Sequence, residues 1–99
     1  MPSKLKASTL AAQALGWTEP TTRSLVPPIY PSTLFERAAD GSYPGGHTYT
    51  RDQNPTYAQP EALLARLESG QAAMLFSSGM AAATTVFETL AVGDHVVAP

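Results

Sequence analysis

The stretch Ala72-Ala73-Met74-Leu75-Phe76-Ser77-Ser78-Gly79-Met80, running on through Ala81 to Leu90 and closing with Gly93-Asp94-His95-Val96-Val97-Ala98, decides how this chain is read. Ala72 to Phe76 is a short apolar run bounded by polar and glycine residues, the pattern of a buried strand. Ser77, Ser78 and Gly79 make a tight turn. Met80 to Leu90 predicts a helix with Val86, Phe87 and Leu90 buried. Gly93 and Asp94 turn the chain again, and His95 to Ala98 resumes as a strand. Strand, helix, strand is an α/β pattern.

Working outward, Pro60 to Glu68 predicts a preceding helix. Pro60 and Glu61 suit its first turn, Leu63, Leu64 and Leu67 form its expected buried face, and Gly70 is its stop. Residues 17–56 read as irregular. Pro20, Pro27, Pro28, Pro31, Pro44 and Pro55 interrupt helices and remove ladder donors, and Gly41, Gly45 and Gly46 add turns. An irregular stretch of about forty residues is abnormal inside a small compact domain. It reads instead as an arm lying on a larger body or on another subunit. Residues 3–16 predict a short helix with an incomplete stripe of Leu5, Leu10, Ala14 and Leu15, ending at Gly16. The division expected is therefore 1–56, an N-terminal helix and extended arm, and 57–99, the start of an α/β domain. Two strands and two helices cannot cover both faces of such a sheet, and about forty organised residues lie near the lower limit of unaided folding.

Composition removes several function classes. The net charge is −2, with 6 Lys+Arg against 8 Asp+Glu, which offers no basic field for nucleic acid. There is no cysteine, so disulfides, thiolate chemistry and Cys-type zinc sites are excluded. His47 and His95 are far apart and read as a solvated loop residue and a structural residue; Trp17 reads as packing. No apolar run approaches the roughly 20 residues needed to span a bilayer. Without a secretory signal pattern, the cytoplasm is the expected compartment. The only lysines are Lys4 and Lys6.

Two motifs carry chemistry. Ser77-Ser78-Gly79-Met80 joins a strand to a helix. A glycine there admits close approach of a ligand to the backbone, and the free N–H groups with the positive end of the helix dipole favour an anion such as phosphate. The serine hydroxyls add donors or a helix cap. The motif is neither a G-K-[ST] loop nor G-x-G-x-x-G, and an ordinary capped turn is the alternative. The second motif is Tyr49-Thr50-Arg51-Asp52-Gln53-Asn54-Pro55-Thr56. In an extended segment Tyr49 and Arg51 point the same way, and a phenol beside a guanidinium suits a phosphate. The alternative is a local pairing of Arg51 with Asp52 or another carboxylate.

Taken together, Pro28-Ile29-Tyr30-Pro31-Ser32-Thr33-Leu34-Phe35, Tyr49-Thr50-Arg51 with Asn54-Pro55-Thr56, Leu67-Glu68-Ser69-Gly70, Phe76-Ser77-Ser78-Gly79-Met80-Ala81-Ala82 and Gly93-Asp94-His95-Val96 resemble, in order and spacing, the transsulfuration (Cys/Met metabolism) family of pyridoxal-phosphate enzymes. The resemblance runs from about Thr9 to the end. It implies a fold-type I, aspartate aminotransferase-like architecture, of which this chain is the extended arm and the start of the large domain, incomplete. It implies pyridoxal 5'-phosphate as cofactor. Its phosphate would be held by backbone N–H groups at Gly79 and Met80 with Ser78 beside them, and by Tyr49 and Arg51 reaching over from a neighbouring subunit of a dimer or tetramer. Tyr49 is also implicated in proton handling. Asn54, Pro55 and Thr56 shape the turn into the following helix.

The family's chemistry is β- or γ-elimination or γ-replacement on a sulfur amino acid or homoserine ester, the pyridine ring accepting electrons as the α-proton leaves. That chemistry uses a Schiff-base lysine, a ring aspartate, a stacking aromatic and a carboxylate-binding arginine, all expected downstream of the residues here. Lys4 and Lys6 cannot replace the lysine. The resemblance thus implies the N-terminal portion of a cystathionine γ-synthase- or lyase-like enzyme. The alternative is a non-catalytic short chain, an interaction module or an inactive remnant.

Overall fold

The computed structural model describes residues 5–99. In chain order it contains α1 (Ala7–Gln13), a 3₁₀ turn (Ala14–Gly16), α2 (Pro55–Leu67) and α3 (Gly79–Glu88). Residues 3 and 4 of the expected first helix lie outside the described residues. The rest of that helix is shorter than expected. Ala14 (φ 44°), Leu15 (φ 62°) and Gly16 (φ 73°) all sit in the left-handed region, which ends the α-helical ladder at Gln13.

Helix α2 begins five residues before the expected start. Asn54 is its N-cap, accepting from the Thr56 N–H at 2.8 Å, and Pro55 occupies the first helical position. A capping Asn followed by Pro is a stronger start signal than Pro60, which stands inside the helix and there removes one ladder donor. The C-terminus closes through two backbone bonds: Ser69 N–H to Arg66 O at 3.4 Å and Gly70 N–H to Ala65 O at 2.8 Å. The left-handed residue at this end is Ser69 (φ 56°), one position before the glycine expected to stop the helix.

The two expected strands do not form. Among the described residues the one β-pairing is an isolated antiparallel bridge, Leu34 to Tyr49. Met74, Leu75 and Phe76 are 70, 44 and 37% exposed, and the Leu75 N–H goes to the Glu61 Oε1 at 2.8 Å instead of to a neighbouring strand. Val96 and Val97 are exposed as well. A strand exists through its ladder partners, and these residues have none here. The α/β arrangement read from the sequence is therefore absent from the described residues.

Helix α3 starts one residue before the expected Met80 and ends at Glu88, two residues short of the expected Leu90, and its expected buried face is open. Val86 is 65% and Phe87 55% exposed, and Leu90 is exposed too. In α2, Leu64 faces solvent while Leu63 and Leu67 are half-buried. The interior is small: Ala65 is the buried hydrophobic residue and Asn54 the buried polar one. Helix α1 and the 3₁₀ turn pack on α2, and the Gln59 Nε2 donates to the Ala14 carbonyl at 3.0 Å. Helix α3 packs on no other helix among the described residues. The accessible surface of 8364 Å² compares with roughly 5400 Å² for a compact chain of this mass.

Candidate functional site

The first half of the site is the turn after the Leu34–Tyr49 bridge. The Thr50 N–H donates to the Thr33 carbonyl at 3.0 Å, locking the turn to the proline-rich segment. The Tyr49 carbonyl then accepts from Asp52 N–H at 3.0 Å and from Gln53 N–H at 2.8 Å. Tyr49 and Arg51 therefore hang from a hydrogen-bonded turn, not from extended backbone. They still share one side: the Arg51 guanidinium carbon lies 5.5 Å from the centroid of the Tyr49 ring. The ring face attracts the cation and holds it over the phenol. Both side chains are exposed to solvent. A cation and a hydroxyl presented outward from one short turn can grip a phosphate or carboxylate.

Behind the turn lies a polar anchor. The Thr50 carbonyl accepts from the Tyr57 hydroxyl at 2.8 Å, and the Asn54 Nδ2 donates to the Thr50 Oγ1 at 2.6 Å and to the Tyr30 carbonyl at 3.1 Å. The Tyr30 N–H donates to the Thr56 Oγ1 at 2.9 Å. Burial raises the Tyr57 phenol above its ordinary pKa, and the Glu61 and Asp52 carboxylates push it further the same way. Thr50 and Tyr57 are contributors that the motifs alone do not reveal. The available signal is Tyr57 on the first turn of a helix that Asn54 caps, with its hydroxyl within reach of the preceding turn.

The second half is the N-terminus of α3. Ser78 is extended (φ −151°, ψ 154°), and its Oγ accepts from the Ala81 N–H at 3.1 Å. Its carbonyl accepts from the Ala82 N–H. This leaves the N–H groups of Gly79 and Met80, the first two of the helix, without intrahelical acceptors. A Cβ at Gly79 would meet nothing of this chain within 4 Å, so the space above the backbone is open to a ligand. The Met80 side chain is 76% exposed and lies outside any core. Ser78 thus serves as the cap, with its hydroxyl proton still available outward.

The structure does not bring the two halves together. The turn is tied to the start of α2, and among the described residues no packing joins α2 to α3. Trp17 and His47 border a cleft of about 390 Å³ beside the start of α2. The His47 Nδ1 meets the Gly45 carbonyl at 2.8 Å and its ring tilts against Phe35, which makes it a brace of its own loop.

A turn that presents a guanidinium beside a phenol and a helix start that presents free backbone amides are the two chemically distinctive elements of this chain. Residues 8–99 match the family model of the Cys/Met metabolism PLP-dependent enzymes, and the chain belongs to that family. It is 43% identical to a cystathionine beta-lyase of Coxiella burnetii over 79 residues, which is 80% of this chain and 20% of that protein. It is 45% identical to a cystathionine gamma-synthase of Mycobacterium tuberculosis over 82 residues, 82% of this chain and 21% of that protein. It is 38% identical to a human cystathionine gamma-lyase over 77 residues, 78% of this chain and 19% of that protein. The chain thus spans about a fifth of the length of these relatives. The family's cofactor is pyridoxal 5'-phosphate. The residues present fit its phosphate end: two free amides, an uncrowded glycine, a hydroxyl and a guanidinium. Lys6, the one lysine among the described residues, is the exposed N-cap of α1 and belongs to neither half. No helix of the described residues is long and apolar enough to cross a membrane.

Proposed function

We propose that this chain is the phosphate-holding N-terminal portion of a pyridoxal 5'-phosphate enzyme of transsulfuration, cystathionine γ-synthase- or lyase-like. What supports the reading is a pair of uncoupled elements, one presenting a guanidinium beside a phenol and one presenting free backbone amides, in a chain whose family uses a phosphorylated cofactor. Helix α3 binds the phosphate through the Gly79 and Met80 amides and the Ser78 hydroxyl, with the helix dipole adding to the attraction. The turn contributes the Arg51 guanidinium and the Tyr49 hydroxyl to the equivalent phosphate of a neighbouring subunit. That explains why two complementary halves sit on elements of one chain that do not meet. The enzyme would be a cytoplasmic homotetramer built from such dimers.

In the complete fold-type I architecture, residues 72–76 and 95–98 find the ladder partners they lack here and enter a parallel sheet. The apolar side chains of 74–76 and 86–87 are then covered. When bound, the cofactor supplies an electron sink for β- or γ-elimination or γ-replacement on a sulfur amino acid or homoserine ester. The residues of this chain hold and orient its phosphate, and the Tyr49 hydroxyl carries a proton at the substrate side. The lysine that holds the cofactor covalently belongs to the rest of the enzyme.

The test is the intact mass of the native protein after borohydride reduction. A mass several times 10.4 kDa bearing a pyridoxyl adduct supports the reading. An unmodified 10.4 kDa species overturns it in favour of a non-catalytic interaction module or remnant.

A further inference from the structure

Asn54 is 4% exposed, the buried polar residue of a chain whose buried hydrophobic residue is Ala65. Capping α2 needs only its Oδ1, which accepts from the Thr56 N–H at 2.8 Å. Asp, Ser or Thr would cap as well. Both protons of the Nδ2 are used elsewhere, one on the Tyr30 carbonyl at 3.1 Å and one on the Thr50 Oγ1 at 2.6 Å. Only an amide can accept for the cap and donate twice across the arm from one position. These two bonds are surplus to the cap, and both end on the arm.

One of them ends on Thr50, the residue between Tyr49 and Arg51. The Thr50 N–H goes to Thr33, its carbonyl receives the Tyr57 hydroxyl, and its Oγ1 receives Asn54 and donates to the Ser32 carbonyl. Every polar atom of Thr50 is engaged inward. The neighbouring phenol and guanidinium project outward. A ligand-binding pair that stands on exposed loop backbone gains precision when its backbone is held in one geometry before the ligand arrives.

We propose that Asn54 is a positioning residue for the Tyr49–Arg51 phosphate clamp, its side-chain amide tying Tyr30 and Thr50 to the start of α2 and so fixing the turn that presents the two groups. The proposal rests on the reading of Arg51 as a phosphate ligand.

The test compares Asn54→Ser, which keeps a capping oxygen and removes both amide donors, with Thr50→Val, which leaves the cap untouched and removes the acceptor together with the hydroxyl bond to the Ser32 carbonyl. The probes are pyridoxal 5'-phosphate and phosphate-free pyridoxal, titrated by fluorescence into the native protein stripped of cofactor. Both variants are expected to weaken pyridoxal 5'-phosphate binding about tenfold, ordered hydrogen bonds having been removed, while leaving pyridoxal binding unchanged. In an Arg51→Ala background, Asn54→Ser should cost less than it does in the parent, since only the Tyr49 hydroxyl is then left to be positioned. Equal loss for both probes means a merely structural residue and overturns the proposal. So does unchanged pyridoxal 5'-phosphate affinity in the variants when Arg51→Ala itself loses affinity. If Arg51→Ala binds pyridoxal 5'-phosphate normally, the clamp reading itself has failed and the positioning role fails with it.

Discussion

Ser78 separates two roles that a helix N-terminus combines, and a pair of substitutions at this position tests them against each other. Ser78→Ala removes the Oγ that accepts the Ala81 N–H at 3.1 Å. Loss of such a cap costs about 1 kcal/mol, a factor of about five in the helix–coil equilibrium at 25 °C. Helix α3 has ten residues and packs on no other helix among the described residues. Isolated helices of that length are marginal, so the loss falls on a helix that no tertiary packing buffers. Ser78→Asp restores the cap, since Asp is as good an Ncap residue as Ser. It also places a carboxylate beside the Gly79 and Met80 amides. At roughly 5 Å from a phosphate carrying about −1.5 charges, in water, the repulsion is about 1.2 kcal/mol, or nearly tenfold in affinity. The assay is Cα chemical shift for residues 79–88 in the 99-residue chain, paired with pyridoxal 5'-phosphate titration of the native protein. Ser78→Ala should lower helix content; Ser78→Asp should keep it and lose affinity. A Ser78→Asp variant that binds the cofactor as tightly as the parent refutes the anion site at α3, whatever the helix content shows.

Other consequences follow from single contacts. Ser69→Gly should stabilise the C-terminus of α2 by about 1 kcal/mol, because Ser69 holds φ 56° where a side chain is strained and glycine is not; slower amide exchange at Gly70 would show it. Tyr57 predicts an alkaline limit. Its folded-state pKa is raised, so the unfolded chain releases the proton first, and the stability linked to this group is complete below the ordinary phenol value and falls as pH rises through the folded one. The Tyr57–Thr50 hydrogen bond is lost with the proton, so denaturant midpoints should drop above about pH 10, and Tyr57→Phe should remove that dependence. Arg51→Lys should weaken pyridoxal 5'-phosphate binding in the native protein by about tenfold or more, since a point charge cannot reproduce a planar two-pronged contact; equal affinity would mean that Arg51 contributes charge alone.

What is legible in the sequence is what short-range chemistry decides. The start of α3 after Ser78, a helix ahead of Gly70 and the irregularity of the proline-rich stretch all depend on residues within a few positions of one another. The early start of α2 is equally local. An Asn cap followed by Pro satisfies two requirements of a helix start, whereas the isolated Pro60 satisfies only one, and the structure follows the stronger signal. The same-side placement of Tyr49 and Arg51 holds for a different cause than extended backbone. A strand and this turn both bring residues two apart to one side, and only the hydrogen bonds onto the Tyr49 carbonyl distinguish them.

The strands mark where local reading stops. Met74, Leu75, Phe76, Val96 and Val97 have the composition of sheet residues, yet composition states only that a segment suits a ladder and not that a ladder exists. Their exposure is therefore informative in the opposite sense. A chain that built its own core would have hidden Phe76, Val86 and Phe87 before hiding Asn54, whose burial is tolerated only because each of its side-chain bonds is satisfied. Here the order is inverted: the polar anchor is buried and the large apolar side chains are open. The arm and the start of α2 are organised by contacts internal to these residues, whereas residues 74–76 and 86–87 are left exposed and α3 packs on no other helix among the described residues. The two halves of the proposed phosphate site fall on either side of that division, Tyr49 and Arg51 with the self-organised part, Ser78, Gly79 and Met80 with the exposed one. On the proposed reading, assembly of the site and covering of the apolar segment are one event, and cofactor affinity should appear only when residues 74–76 and 86–87 become protected from solvent.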